Sequence, residues 1–285
     1  MRPTVTLPDG TVLPSLGLGT WHMGEAPSRR AAEVAAIRFA LELGYRVFDS
    51  AEMYGDGGAE EVLGQALADA QASGVVRRDE VFVVSKVYPH NASRQGTQAA
   101  CERSRRRLGL DRIDLYLLHW RGSIALADTV AGFESLQASG RIGNWGVSNF
   151  DTDDLAELAG VPGGGACAAN QVYYSISERG PEVSLLPAQR RCRMPLMAYC
   201  PIDQGALAGD SSLHRIGARL GVSAAQVALA WVCSQPGVVA IPKALQPRHL
   251  QDNWAAPALT LDAADRAELE QRFPAPRTKR PLAMV

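Results

Sequence analysis

The sequence predicts an α/β protein, a (β/α)8 TIM barrel with an N-terminal β-hairpin capping one end. Three observations carry this expectation: eight short apolar runs recur along the chain, a segment of helical periodicity follows each of them, and no Gly/Ser linker or charge block divides the 285 residues. Alternating strand and helix signals imply a parallel sheet covered by helices. Eight repeats at this length fit the closed barrel better than an open doubly wound sheet. A single domain over residues 1–285 is therefore expected.

The elements follow in order. Val5–Leu7 and Thr11–Leu13 flank the turn Pro8-Asp9-Gly10 and read as a hairpin. The barrel strands are expected at Leu16–Gly19, Arg46–Asp49, Val81–Lys86, Ile113–His119, Asn144–Ser148, Ala169–Gln171, Pro195–Tyr199 and Val238–Pro242. Helical periodicity is clear over Arg29–Leu43, Glu60–Ala72, Thr97–Leu108 and Ser223–Ser234, and Gly44, Gly74 and Gly109 stand where such helices should stop. The Gly17-Leu-Gly19 pair does not make a dinucleotide-binding fingerprint, because His22 occupies the place of the third glycine and no helix begins there.

Composition narrows the function classes. With 46% hydrophobic and 21% charged residues the chain can bury one substantial core. A net charge of −1 provides no general attraction for nucleic acid or an anionic membrane, so neither is expected as a partner. The concentrated basic stretch, Arg103, Arg105, Arg106 and Arg107, is expected to form a solvated helix face. Residues 1–10 lack the apolar run of a signal peptide, and no stretch approaches the ~18 apolar residues of a membrane span, which points to the cytoplasm. Cys101, Cys167, Cys192, Cys200 and Cys233 show neither a CxxC pair nor a histidine at ligand spacing, so they read as reduced, mostly buried thiols, and no metal is expected.

In barrels of this class chemistry gathers at the carboxyl ends of the strands. Asp49, Lys86, His119, Ser148 with Asn149, Gln171 and Tyr199 end six successive predicted strands. Lys86 is singled out further, because the 29 basic residues include only three lysines, Lys86, Lys243 and Lys279. A chain that otherwise uses arginine retains lysine where a compact ammonium is needed. At the end of an apolar strand, that ammonium wants a carboxylate, and Asp49 is its expected partner; a purely structural ion pair is the alternative. Tyr54 makes the trio more than structural. An adjacent ammonium favours its phenolate and lowers its pKa, giving a tunable proton donor. His119 at the same mouth can orient a carbonyl oxygen, and Trp21 and Trp120 can wall a small substrate.

The run Phe48-Asp49-Ser50-Ala51-Glu52-Met53-Tyr54-Gly55, then Lys86, then Asp114-Leu-Tyr-Leu-Leu-His119-Trp120, resembles the aldo-keto reductase superfamily. Gly146-Val-Ser-Asn-Phe150, Asn170-Gln171, Tyr199-Cys-Pro-Ile202 and Ile241-Pro-Lys243 extend the resemblance over nearly the whole chain. It implies that Tyr54 is the general acid of a carbonyl reduction, that Lys86 and Asp49 adjust its acidity, and that His119 positions the carbonyl. It further implies an NADPH site in which Ser148, Asn149 and Gln171 hold the nicotinamide carboxamide and Tyr199 stacks on the ring. Cys200, Pro201, Ile202 and Gln204 extend that site, and Lys243, Ala244, Arg248, His249 and Asn253 receive the adenosine end. Ala244 replaces a family serine and His249 a family arginine, so NADPH preference is expected to be weak, with NADH possible. Trp21-His-Met-Gly24 and residues 274–285 resemble a bacterial subgroup that reduces methylglyoxal and related aldehydes. The resemblance allows a monomer. Two other readings stay open: a nicotinamide-nucleotide-binding redox sensor or partner subunit with little turnover, and a lyase using Lys86 as a Schiff-base nucleophile.

Overall fold

The computed structural model describes residues 2–285 and begins with the expected hairpin, in which β1 (Thr4–Thr6) pairs antiparallel with β2 (Val12–Pro14). Each strand sits one residue further from the turn than the sequence suggests, because Leu7 N bonds to Thr11 O at 2.8 Å and so makes these two residues part of the turn. Asp9 then accepts from Thr11 N across the tip.

Eight parallel strands follow in chain order: β3 (Leu18–Gly19), β4 (Val47–Asp49), β5 (Phe82–Val87), β6 (Ile113–Leu118), β7 (Ile142–Ser148), β8 (Asn170–Tyr173), β9 (Leu196–Tyr199) and β10 (Val238–Ala240). A parallel bridge between Leu16 and Ala240 closes the sheet on itself, supported by Ala240 N to Ser15 O (2.8 Å), Gly17 N to Ala240 O (2.8 Å) and Gly19 N to Pro242 O (3.0 Å). The α/β barrel with its N-terminal hairpin is thus the observed architecture. Gly19 faces this seam, where a Cβ would stand 2.9 Å from Ile241 O; close strand approach, not phosphate binding, accounts for the glycine.

Helices cover the outside: α1 (Arg30–Leu43), α2 (Gly58–Ala72), α3 (Arg94–Leu108), α4 (Leu126–Ala138), α5 (Thr152–Ala159), α6 (Leu185–Arg191), α7 (Ser211–Leu220) and α8 (Ala224–Cys233) lie between strands, with α9 (Pro247–Ala255) and α10 (Ala263–Arg272) after the last. Their ends follow local chemistry. Ser93, Asp151 and Ser223 cap α3, α5 and α8 through their side chains. Gly44 (φ 107°) and Gly109 (φ 64°) end α1 and α3 in the left-handed conformation that costs glycine least. Among the described residues no single helix is long and apolar enough to cross a membrane.

Strand period decides which side chains meet. One apolar cluster joins the outer strand faces to the helices, including Leu18, Phe48, Val83, Tyr116, Trp145 and Val172. A second fills the lumen with Val47, Val84, Leu115, Leu117, Ala169, Met197 and Val239, and the hairpin residues Val5, Leu7 and Leu13 plug it from below. Two residues beyond Val47, Val84, Ala169 and Met197, the inward side chains become Asp49, Lys86, Gln171 and Tyr199.

The arginine stretch on α3 forms a solvated face only in part. Arg106 is exposed, but Arg105 is buried and donates to Asp111 O at 2.7 Å, Arg107 reaches the buried Glu60 at 2.9 Å, and Arg103 reaches the buried Glu52 at 3.1 Å. Four arginines within five positions must spread around a helix of 3.6 residues per turn, and buried carboxylates hold two of them, Arg103 and Arg107.

Candidate active site

The inward rows of β4, β5, β7, β8 and β9 end in Asp49, Lys86, Ser148, Gln171 and Tyr199, and His119 follows β6 directly. A shift of one residue in any strand would turn its group outward. Two placements refine the sequence reading: Lys86 is the penultimate residue of β5, and Gln171 lies within β8, which runs on to Tyr173. The extra residues extend the ladder without changing the inward parity.

Lys86 is fully buried. Its ammonium donates to both oxygens of Asp49 and to Ser50 O at 2.8 Å, and to Tyr54 Oη at 3.2 Å. An ammonium has three N–H groups for these four acceptors, so the tyrosine bond, the longest, is the shared one. Because Tyr54 Oη accepts there, its own proton is free to point into the cleft. Gln171 Nε2 donates to Asp49 Oδ1 at 2.8 Å, which ties β8 into the same cluster. Among the described residues nothing donates to the Gln171 amide oxygen.

Acidity differs from the sequence expectation in one respect. Burial raises the Tyr54 phenol well above its ordinary value, and the negative charge of Asp49 adds to this. The resting tyrosine is therefore protonated, and the ammonium beside it favours the phenolate against the burial that raises its pKa. Lys86 itself is lowered by burial, against the opposing pull of Asp49. His119 lies well below its ordinary value, first through burial and then through Lys86, so its imidazole is neutral. Its ring meets Tyr54 edge-on at 5.6 Å and Trp120 at 4.9 Å, and its Nδ1 has no hydrogen-bond partner.

A second polar group stands beside the first. Asn149, at φ 60°, donates to His119 O (3.2 Å) and Ser148 Oγ (3.3 Å) and accepts from Tyr199 Oη at 2.8 Å. Ser148 Oγ donates to Gln171 O at 2.9 Å. Among the described residues, left-handed residues other than glycine number seven, and all but Arg193 lie at or beside the barrel mouth: His22, Asp56, Asn149, Cys200, Asp203 and Gln204. Backbone strain of this kind persists where surrounding contacts impose it, commonly at ligand sites.

These groups line one cleft of about 810 Å³. Every site residue predicted from the sequence borders it except Lys86, which sits behind Tyr54 and Asp49. Trp21 and Trp120 are lining residues, as are Cys200, Pro201, Ile202 and Gln204; Lys243, Ala244, Arg248, His249 and Asn253 form the remaining wall. Burial pushes the Cys200 thiol up to about 11, so it is a neutral wall residue. Cys101, Cys167 and Cys233 are buried and Cys192 is exposed, all as free thiols. The sequence reading missed His22, Met53, His214, Met284 and Val285. His22 adjoins Trp21, which was signal enough; the last two arrive by the return of the C-terminal tail, pinned where Lys279 meets Asp151 and Asp153 at 3.1 Å.

The chain belongs to the aldo/keto reductase family, whose model matches residues 15–272, and it is an oxidoreductase. It is 49% identical over 278 residues to methylglyoxal reductase YeaE of Escherichia coli, covering 96% of this chain and 95% of that protein. It is 34% identical over 256 residues to the glyoxal reductase of Bacillus subtilis, covering 89% of this chain and 86% of that one. A crystal structure of an aldo-keto reductase from Klebsiella pneumoniae in complex with NADPH superposes with a TM-score of 0.95 at 44% identity, covering all of both chains.

Proposed function

We propose that this chain acts as one barrel domain that reduces small aldehydes and ketones to alcohols with NADPH, the proton coming from Tyr54. The observation that carries the reading is the bond from the buried Lys86 ammonium to Tyr54 Oη at 3.2 Å, which leaves the phenolic proton facing the cleft.

The cleft suits the cofactor. Its volume, about 810 Å³, lies in the range of small-molecule sites, and the partnerless Gln171 amide oxygen offers an acceptor to a carboxamide. Ser148 and Asn149 complete that polar corner, with the Tyr199 ring beside it as a stacking face. Lys243 and Arg248, both exposed on the cleft wall, suit a 2′-phosphate, though Asp252 stands 3.9 Å from Arg248 and draws on its charge. The two relatives named for methylglyoxal and glyoxal, and the neighbour bound to NADPH, support the substrate class and the cofactor.

In this mechanism the bound nicotinamide supplies the hydride. The chain's own residues handle the oxygen. Neutral His119 orients the carbonyl by hydrogen bonding, Tyr54 gives its proton to the oxygen as negative charge develops, and Lys86 holds the phenolate that remains. Trp21 and Trp120 shield the reacting centre and favour small substrates. The Lys86 nitrogen is enclosed by Asp49, Ser50 O and Tyr54, which favours a charge-bearing role over a Schiff-base nucleophile.

Steady-state NADPH oxidation with methylglyoxal, glyoxal and larger aldehydes tests the reading. Turnover highest on the small dicarbonyls is expected. Tight NADPH binding without turnover on any of them overturns it in favour of the sensor alternative.

A further inference from the structure

We infer that Glu52 is a positioning residue for the proton donor: its buried carboxylate fastens the segment carrying Tyr54 to the loop and helix that follow Lys86. The inference rests on the reading of Tyr54 as donor given above.

Tyr54 does not sit on a strand. It lies in residues 50–57, beyond the end of β4, in a segment whose last part includes the left-handed Gly55, Asp56 and Gly57. The backbone ties of this segment to the barrel end early, with Ser50 N to Val84 O (2.9 Å) and Glu52 N to Lys86 O (3.3 Å). After Glu52 the backbone bonds are local turns, Tyr54 N to Ala51 O (3.1 Å) and Asp56 N to Met53 O (3.2 Å). The last backbone tie of the segment to β5 is thus one long bond at Glu52, and Tyr54 itself has none to that strand.

The Glu52 side chain reinforces that single bond with three more. It is only 5% exposed, yet its carboxylate is fully engaged. Oε1 accepts from Tyr88 N at 2.8 Å and from Asn91 Nδ2 at 3.0 Å, while Oε2 accepts from Arg103 of α3 at 3.1 Å. Charge-assisted bonds from three donors fix a carboxylate in position as well as satisfying it. Glu52 stands two residues before Tyr54, and Tyr88 stands two residues after Lys86. The clamp thus joins the two segments that must keep Tyr54 Oη and Lys86 Nζ within 3.2 Å. Arg103 reaches in from a half-exposed position, so it can be removed without opening the core.

The test uses the full chain, with methylglyoxal reduction, NADPH binding by fluorescence titration, and thermal unfolding measured together. Glu52→Gln keeps an oxygen for Tyr88 N and Asn91 but turns an amide N–H toward Arg103. It is expected to lower kcat about tenfold with KM and NADPH affinity within about twofold, since slight misplacement of a reacting group costs one to two powers of ten. Arg103→Met, which leaves two of the three bonds, should lower kcat about threefold, and the double variant should match Glu52→Gln alone because both act through one ion pair. A kcat within twofold of the parent in folded Glu52→Gln overturns the inference, as does a loss mirrored in NADPH affinity. Should Glu52→Gln not fold, unchanged kcat in Arg103→Met overturns it equally. Nuclear resonance of ring-labelled tyrosine, with Tyr54 assigned by Tyr54→Phe, separates this inference from the donor reading. One sharp Tyr54 signal that broadens or splits in the folded Arg103→Met variant supports positioning even if the parent reduces no aldehyde, and an unaltered signal overturns it.

Discussion

The two ends of the lumen are built from the same strands, and on β4, β5, β8 and β9 they differ by two residues of one inward row. Below, Val47, Val84, Leu115, Met197 and Val239 pack against the hairpin's Val5, Leu7 and Leu13. Above, Asp49, Lys86, Gln171 and Tyr199 stand in the same columns and bond to one another or to their neighbours. The floor holds the strands together by excluding water, while the mouth keeps charged groups out of water in order to set their reactivity. The difference teaches where a substitution should be felt: floor changes in stability, mouth changes in rate.

The largest effect should come from Tyr54→Phe. Losing only the donated proton, it is expected to lower kcat for aldehyde reduction by about a thousandfold, with NADPH affinity and melting temperature nearly unchanged. A melting temperature lowered along with kcat would break the division between mouth and floor. Leu115→Ala should behave oppositely, costing about 2–5 kcal/mol in urea unfolding through the cavity it leaves, while kcat measured on folded protein stays near that of the parent. Lys243→Ala sharpens the picture within the mouth: NADPH affinity should drop about tenfold and NADH affinity should not, and equal losses would remove Lys243 from the phosphate.

The smallest effect concerns His119. Its folded-state pKa is depressed below 6.5 by burial and by Lys86. As pH falls through 6.5 the unfolded chain takes up a proton that the folded chain refuses, so stability drops as the solution is acidified. Between pH 7.5 and 5.5 this site should contribute about 1 kcal/mol of that loss, read as the difference in urea midpoints between the parent and His119→Asn. An identical pH dependence in both would mean that His119 takes its proton readily when folded.

Much of this was legible in the sequence, for physical reasons. Strand period and strand order are local properties, so the inward placement of Asp49, Lys86, His119 and Ser148 follows from the apolar runs that precede them. Gly44 and Gly109 announce helix ends because left-handed backbone suits few other residues. Other features depend on what a segment meets after folding. The arginines of α3 read as solvated because nothing in their own periodicity reveals Glu52 and Glu60 behind them. Tyr54 read as acidified by Lys86 because its burial and its nearness to Asp49 become visible only in three dimensions. Met284 and Val285 reach the cleft by a tail whose path depends on Lys279 finding Asp151 and Asp153. Glu52 stood in the motif without a role, since a carboxylate two residues from Tyr54 looks like ordinary surface until its three donors are located.

The seam between β3 and β10 bears on how the molecule comes into being. A chain made from its amino end exposes the edge of β3 through nearly all of synthesis, because its partners at Ala240 and Pro242 are among the last strand residues to emerge. An unsatisfied edge of that kind invites pairing with other chains. Here it is short, only Leu18 and Gly19, so it offers a poor template for a stranger. The glycine that lets the two strands approach closely at the end of folding, Gly19, thus also leaves the nascent edge with little to offer another chain.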